Sequence, residues 1–256
     1  MELLENLEQV DLEQLTCTSK SHTYYSTEKD AKLITTGQIV TLSKYIIQDI
    51  SEEDLSNLVS KIIFSSKLQS PLFLHFIGFN ISKEDDITEL SIITEKSKNG
   101  SLHQIIELEK EGKIIPGWDN TKKLINIYGI ALGLSILHSH NITHNTVNAS
   151  NIYLDEHLFP KIKLITEISD VHDLYLSAAR VYQERENFLY KPPEIINEEE
   201  PSNKVDVFSF SIIVLKILSK KIDFPLENIY EIIKKVSCGD RPHISDEIPE
   251  CYRKLI

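Results

Sequence analysis

The chain is poor in cysteine and has no excess of positive charge, and each shortage excludes a class of protein. Its three cysteines, Cys17, Cys238 and Cys251, are far apart and form no C-x-x-C pair. This argues against a disulfide framework or a zinc site and favours a reducing compartment. The formal net charge of −12 argues against a broad nucleic-acid-binding surface and against a basic membrane-binding patch. We therefore expect a cytoplasmic protein with no nucleic-acid or membrane partner.

Long hydrophobic runs are also missing. The longest strongly apolar stretch, residues 208–218, is too short to span a bilayer and contains Lys216. Residues 1–11 are acidic and lack the basic and then apolar regions of a secretory signal. The composition, 41% hydrophobic and 26% charged over 256 residues, is ordinary for a globular protein with a sizeable core.

Hydrophobic periodicity and turn signals predict strands, one helix, more strands and then mostly helices. Ser51 followed by three acids is typical of a helix start, and the apolar spacing after it continues to about Leu68. The strands predicted around this helix cover 15–47, 72–79 and 90–94, with a polar loop at 82–88. Later predicted elements are helices over 101–112, 120–140, 203–219, from about 225 and over 247–256, with a strand pair at 152–154 and 161–165.

This order predicts an α+β fold with two lobes. We expect a short acidic helix or tail over 1–14 and one domain over 15–256. Its β-rich lobe covers about 15–96 and its mostly helical lobe about 97–256.

Residues 142–154, with the sequence Ile-Thr-His-Asn-Thr-Val-Asn-Ala-Ser-Asn-Ile-Tyr-Leu, separate a long amphipathic helix from an apolar strand. His144 and Asn151 are spaced as in the protein-kinase catalytic loop, H-R-D-L-x-x-x-N. The stretch therefore resembles that loop. Asn145 stands where the family has arginine, and Thr146 stands where it has the catalytic aspartate.

Other segments in the family's order extend the resemblance from about Leu15 to the end of the chain and are similar to the tyrosine-kinase-like group. They are 76–79, 99–102, 118–140, 191–194 at the A-P-E position, 204–210 and 239–242. The resemblance implies a protein-kinase fold, with a β-rich N-lobe containing one main helix and a mostly helical C-lobe. We expect the family's last helices to be missing, with the domain truncated at Ile256.

Several positions that bind ATP in the family hold other residues here. The glycine-rich loop corresponds to residues 17–24, which contain no glycine. Lys44 is the candidate for the family's strand lysine, which grips the ATP phosphates, and a solvated surface lysine is the alternative. The helix glutamate that pairs with that lysine corresponds to Lys61, which would repel Lys44.

The positions for magnesium and for the base are altered as well. The D-F-G position holds residues 164–166, Leu-Ile-Thr, and an apolar side chain does not hold a hard dication. Asn151 matches the magnesium-binding asparagine, and closure of a turn is its alternative role. Thr146 is too weak a base near neutral pH, and loss of a positioned base alone lowers the rate roughly 10²–10⁴-fold. The nine histidines form no ordered set with cysteines or carboxylates, so we expect no metal site and no bound cofactor.

Residues that build the family's frame are retained. By resemblance, Asp206 matches the aspartate that ties the catalytic-loop backbone to the central helix. Glu194 matches the A-P-E glutamate, with Arg180 or Arg185 as alternative partners here. His144 is expected to pack in the core, as the family's loop histidine does.

Three hypotheses follow from this pattern. The first is a catalytically inactive kinase-like domain that acts as a scaffold or an allosteric partner of other proteins, including an active kinase. The second is an active or weakly active Ser/Thr protein kinase that uses ATP and Mg²⁺ through displaced groups, with Lys44 on phosphate and Glu167 or Asp170 on metal. The third is a truncated copy without a defined role.

Overall fold

The structure is a computed structural model that describes residues 10–17, 21–22, 27–47, 52–84, 87–166, 187–197, 199, 202–219, 229–254 and 256. These residues fall into two compact units. The first unit contains the described residues up to Ser97 together with 163–166. The second contains Lys98–Ile162 and the described residues from Asn187 onward.

The first unit is built on an antiparallel sheet. Its strands are β1 (Leu15–Cys17), β2 (Ser21–His22), β3 (Thr27–Leu33), β4 (Ile39–Ile47), β5 (Phe76–Glu84) and β6 (Ile87–Glu95). The strand order is β1-β3-β4-β6-β5, and β2 also pairs with β3. The register places Ser43 opposite Glu28 of β3 and Ile92 of β6. Ser43 therefore lies in the middle of the central strand.

Apolar clusters cover both faces of this sheet, because successive side chains of a strand point to opposite faces. One cluster consists of Ala31, Leu33, Val40, Leu42 and Ile93. The other consists of Tyr45, Leu58, Val59, Ile62, Phe79, Leu90, Ile92 and Ile165. Helix α1 (Glu52–Lys67) supplies three members of the second cluster, which confirms its predicted amphipathic character. Ile165 reaches the same cluster from the chain segment that follows β8.

The second unit is mostly helical. Its elements are α2 (Leu102–Lys110), α3 (Asn120–Ser139), β7 (Ile152–Leu154), β8 (Pro160–Ile162), α4 (Pro193–Ile196), α5 (Lys204–Ser219), α6 (Ile229–Ser237) and α7 (Glu250–Arg253). Helix α5 is buried along most of its length, as predicted for a central helix. In the part of the chain that the structure describes, none of the helices combines the length and apolar character needed to cross a membrane.

Three predicted boundaries were wrong. The polar loop at 82–88 is largely strand, because backbone pairing of Lys83 with Thr88 continues the hairpin whatever its side chains are. The strand predicted over 161–165 ends at Ile162, after which the chain joins the first unit. The last helix covers only Glu250–Arg253 and begins after Pro249, whose fixed φ suits a helix start. The helix predicted from about 225 is described only from Ile229 onward.

Helix α2 begins with a capping box, which offers a local test of the fold. The Ser101 hydroxyl accepts a hydrogen bond from the Gln104 N–H, and the Gln104 side chain accepts one from the Ser101 N–H. We expect Ser101→Ala to lower the free energy of unfolding by about 1 kcal/mol, measured by urea denaturation. Ser56→Ala, on the exposed side of α1, is the matched control and should change it by less than about 0.5 kcal/mol. Equal effects of the two substitutions would contradict this role for the cap.

Candidate functional site

The loop that resembles the kinase catalytic loop begins at a well-defined helix end. Asn141 has a φ of 57°, a left-handed conformation that asparagine tolerates better than most residues. Its N–H donates to the His138 carbonyl at 3.1 Å, and the Ile142 N–H donates to the Leu137 carbonyl at 3.0 Å. These two bonds form a Schellman motif, which terminates α3 and directs the chain into the loop.

Asp206 of α5 holds the backbone of this loop. Its side chain is fully buried, and its Oδ2 and Oδ1 accept the N–H groups of His144 and Asn145, each at 2.8 Å. His138 Nε2 lies 2.8 Å from Oδ2. Asn145 has a φ of 70°, so the loop turns sharply at the point where Asp206 binds it. The carboxylate therefore fixes a strained loop to the central helix.

The side chains of the loop bind the loop itself. Thr146 Oγ1 lies 3.3 Å from Nδ1 of His144, which is fully buried. Asn151 Nδ2 donates to the Thr146 carbonyl at 2.8 Å. Asn148 Oδ1 accepts the N–H groups of Ser150 and Asn151, both at 2.9 Å. The Asn151 side chain therefore closes a turn of the loop. Thr146 presents a hydroxyl where, by resemblance, the family has a carboxylate.

Glu194 lies in the first turn of α4 and is partly buried. Its carbonyl accepts the N–H of Glu199 at 2.8 Å. Its alternative partners Arg180 and Arg185 lie outside the described residues. Glu167 and Asp170, the displaced metal ligands of the second hypothesis, also lie outside the described residues. So does most of the glycine-free segment 17–24.

In the first unit, Lys44 forms an ion pair with Glu89 of the neighbouring strand β6. Both side chains are partly exposed, at 27% and 31%. Because side chains alternate along a strand, Lys44 and Ser43 point to opposite faces of the sheet. Ion pairs at this level of exposure typically contribute less than about 1 kcal/mol.

A buried ion pair lies on the other face. Lys163 forms an ion pair with Glu28 of β3, and the two side chains are only 7% and 10% exposed. Lys163 Nζ lies 3.2 Å from the hydroxyl of Ser43, which in turn lies 3.4 Å from Glu28 Oε1. We call these three residues the lysine–serine–glutamate cluster. The sequence interpretation did not find it.

Tyr45 contacts both Lys163 of this cluster and the nearby Ile165. Its hydroxyl donates to the Ile165 carbonyl at 3.1 Å, and its ring centroid lies 5.9 Å from Lys163 Nζ. Burial raises the pKa of the Tyr45 hydroxyl, an effect that the Lys163 charge opposes. Tyr45 is therefore a protonated donor at neutral pH, and it fastens the 163–166 segment to the sheet.

The cluster indicates which face of β4 corresponds to the face of the family's strand lysine. In a kinase, that lysine and the D-F-G aspartate act on the same phosphates and magnesium ions, so the two positions lie close together. Lys163 directly precedes Leu164, the first residue at the D-F-G position, and contacts Ser43. Tyr45, on the same face of β4, donates to the Ile165 carbonyl. Closeness to the D-F-G position therefore favours the face of Ser43 and Tyr45 over that of Lys44 for the family's strand lysine.

These residues do not fit magnesium ATP. The face of β4 beside 163–166 offers the hydroxyls of Ser43 and Tyr45 and no ammonium, and Leu164 offers no oxygen to a dication. Within the described ranges, no three His, Cys, Asp or Glu side chains are grouped so that they could hold a metal ion. The ammonium of Lys163 is close to the required place, but it is already paired with a carboxylate.

Comparison with known proteins supports the resemblance of this chain to protein kinases. The family model described as protein tyrosine and serine/threonine kinase matches residues 23–256. A protein of Acanthamoeba polyphaga mimivirus, named as a serine/threonine-protein kinase/receptor, is 29% identical over 228 residues, which are 86% of this chain and 13% of that protein. The dual specificity protein kinase shkB of Dictyostelium discoideum is 28% identical over 239 residues, 88% of this chain and 34% of that protein. The chain thus spans about 13% and 34% of the lengths of these two relatives.

Proposed function

The chain belongs to the protein tyrosine and serine/threonine kinase family, and we propose that it is a catalytically inactive member of the tyrosine-kinase-like group. It works by binding other proteins, as a scaffold or as an allosteric partner of an active kinase. The lysine–serine–glutamate cluster carries this proposal. The face of β4 beside the D-F-G position presents the buried Ser43 and Tyr45 and no lysine, and the ammonium of Lys163 is paired with Glu28.

Phosphate transfer in this family needs positioned phosphates, bound magnesium and a group that accepts the substrate's hydroxyl proton. At each of the corresponding positions, this chain has a residue that cannot fulfil the requirement. Ser43 cannot neutralise phosphate charge, Leu164 cannot bind magnesium and Thr146 cannot act as the base. Because these losses affect different steps, restoring one of them does not restore the reaction.

A reducing, cytoplasmic location is part of this proposal. Cys238 and Cys251 are exposed free cysteines, which supports it.

A second candidate function is a weakly active Ser/Thr protein kinase with displaced groups. The mimivirus relative and shkB both carry kinase names. Lys163 favours this candidate, because it supplies an ammonium one residue from the D-F-G position. The mechanism would require Glu28 to release that ammonium and a carboxylate such as Glu167 or Asp170 to bind magnesium.

A radiometric assay with stoichiometric amounts of the native chain separates the two candidates. With ATP and either Mg²⁺ or Mn²⁺, we expect no phosphate transfer to a general kinase substrate or to the chain itself. We expect the same result for Thr146→Asp, because this variant restores the base position but leaves Ser43 and Leu164 unchanged.

Phosphate transfer by the native chain that disappears in Lys163→Met would refute the proposed inactivity and establish the second candidate. Lys44→Met is the matched control for that variant, since Lys44 pairs with Glu89 at the surface. Transfer that survives Lys163→Met but not Lys44→Met would place Lys44 on the phosphate, and transfer that survives both substitutions would come from a contaminating kinase and would leave the native chain inactive.

A further inference from the structure

We propose that the sheet of the first unit carries a docking surface for a short peptide segment of another protein, on the face that lies away from α1. Residues 10–14 of this chain cover that face, and we call them the N-terminal strap. A partner segment binds by displacing the strap. The inference rests on the proposed function and deepens it, because it names where the chain binds a protein and what that protein presents.

The strap runs between the two ends of the strand order. At one end, the Val10 N–H donates to the Phe79 carbonyl of β5 at 2.9 Å, and Asn80 Nδ2 donates to the Val10 carbonyl at 3.1 Å. At the other end, the Ile34 N–H donates to the Gln14 carbonyl at 2.9 Å, just before the chain enters β1. Because β5 ends the strand order, the first two bonds cover part of an edge strand.

The surface under the strap is apolar and more deeply buried than the strap itself. Ala31, Val40 and Ile93 are 0% exposed, whereas Leu12, which packs against their cluster, is only half-buried. Leu12–Gln14 form a single 3₁₀ turn that contains no buried residue. Segments with little burial and few hydrogen bonds open at a small cost in free energy. The strap is therefore the part of this face that a competing segment displaces.

The strap also shows what the partner segment presents. Val10 and Leu12 supply two apolar side chains that are two positions apart. Between them, the Asp11 carboxylate accepts the Glu13 N–H at 2.9 Å and holds the turn. A segment with the pattern apolar–Asp–apolar, which also offers a main-chain N–H and carbonyl to β5, reproduces these contacts. Main-chain bonds at a sheet edge combined with side-chain contacts are a recurrent mode of peptide recognition.

The tether decides how well such a segment competes. A strap attached to the domain is present at an effective concentration on the order of millimolar. A free segment with the same contacts therefore binds the native chain weakly and binds more tightly once the strap is detached. Leu12→Asp detaches the strap, because a carboxylate loses its water on an apolar surface and gains no partner there.

The probe is a fluorescein-labelled peptide that copies residues 7–14, and the measurement is fluorescence anisotropy with the 256-residue chain. We expect the Leu12→Asp chain to bind this peptide at least ~10-fold more tightly than the native chain does. A peptide that itself carries Leu12→Asp should bind neither chain. Glu13→Gln is the matched control for the chain, because the Glu13 side chain is exposed, and this variant should bind the peptide as weakly as the native chain.

Hydrogen exchange of the Ile34 N–H, which the Gln14 carbonyl accepts, is the second readout. It should be at least ~10-fold faster in Leu12→Asp than in the native chain, and an unchanged rate would overturn the inference. A folded Leu12→Asp chain that binds the peptide no more tightly than the native chain would overturn it as well. If Leu12→Asp does not fold, Leu12→Ala should give a smaller gain in peptide binding, and no gain would again overturn it. Neither readout involves phosphate transfer, so failure here is distinguishable from failure of the proposed inactivity.

Discussion

Asp206→Ala is expected to lower the free energy of unfolding by about 3–5 kcal/mol, although this residue carries out no chemistry in the proposed function. The substitution removes a fully buried carboxylate that accepts the backbone N–H groups of His144 and Asn145. Both donors are then left without their acceptor beside a chain turn with positive φ. His138 loses its partner as well. Removing one partner from a buried polar network costs more than the network's net contribution to stability.

Thermal and urea unfolding measure this effect, and a domain of this size should lose roughly 10 °C in Tm. Asp206→Asn keeps one acceptor oxygen and is expected to fall between the native chain and Asp206→Ala. Asp246→Ala is the matched control, because the Asp246 side chain is 99% exposed and pairs with Arg253 at the surface. Its expected change is below about 1 kcal/mol. Equal destabilisation by the two alanine variants would refute the anchoring role of Asp206.

The helices of the second unit could be predicted because their signals are local. Helices were predicted to start at about residues 101 and 120, and the side chains of Ser101 and Asp119 each accept a backbone N–H of the first turn there. The apolar spacing of α3 and α5 is likewise contained in one stretch of chain. The α+β order therefore followed from the sequence, and the family match confirms the kinase fold.

The candidate site could be predicted only in part, because it depends on strand register. A shift of one residue in a strand exchanges the face to which every side chain points. The sequence interpretation chose Lys44 for its charge, whereas the residue that contacts Lys163 is its neighbour Ser43. No local pattern in the sequence distinguishes the two faces of β4, since both are covered by apolar clusters.

The ion pair between Lys163 and Glu28 could not be predicted from the sequence. The two residues are 135 positions apart, and they meet because the chain returns to the sheet after β8. Composition gave no sign of it, because a buried lysine and a surface lysine are identical in the sequence. The pair bears on the proposed function because it places a cation and its anion directly before the D-F-G position.

Lys163→Met is expected to lower the free energy of unfolding by about 3–5 kcal/mol, because it leaves the Glu28 carboxylate buried without its cation. Methionine fills nearly the same space, so the loss measures charge rather than a cavity. The double variant Lys163→Met/Glu28→Leu removes both charges and is expected to recover most or all of that stability. Urea denaturation of the native chain and the two variants measures both quantities.

Lys44→Met is the matched control, because Glu89 stays partly exposed and water solvates it when Lys44 is lost. Its expected change is below about 1 kcal/mol. If Lys163→Met were no more destabilising than Lys44→Met, Glu28 would already be satisfied by other groups, and the ion pair with Lys163 would not be needed for the stability of the first unit. If the double variant were as unstable as the single one, the loss would come from packing around Tyr45 and Ile165 rather than from an unpaired charge. A large loss that the second substitution reverses would show that the first unit depends on a cation at this position and that Glu28 is the anion that requires it.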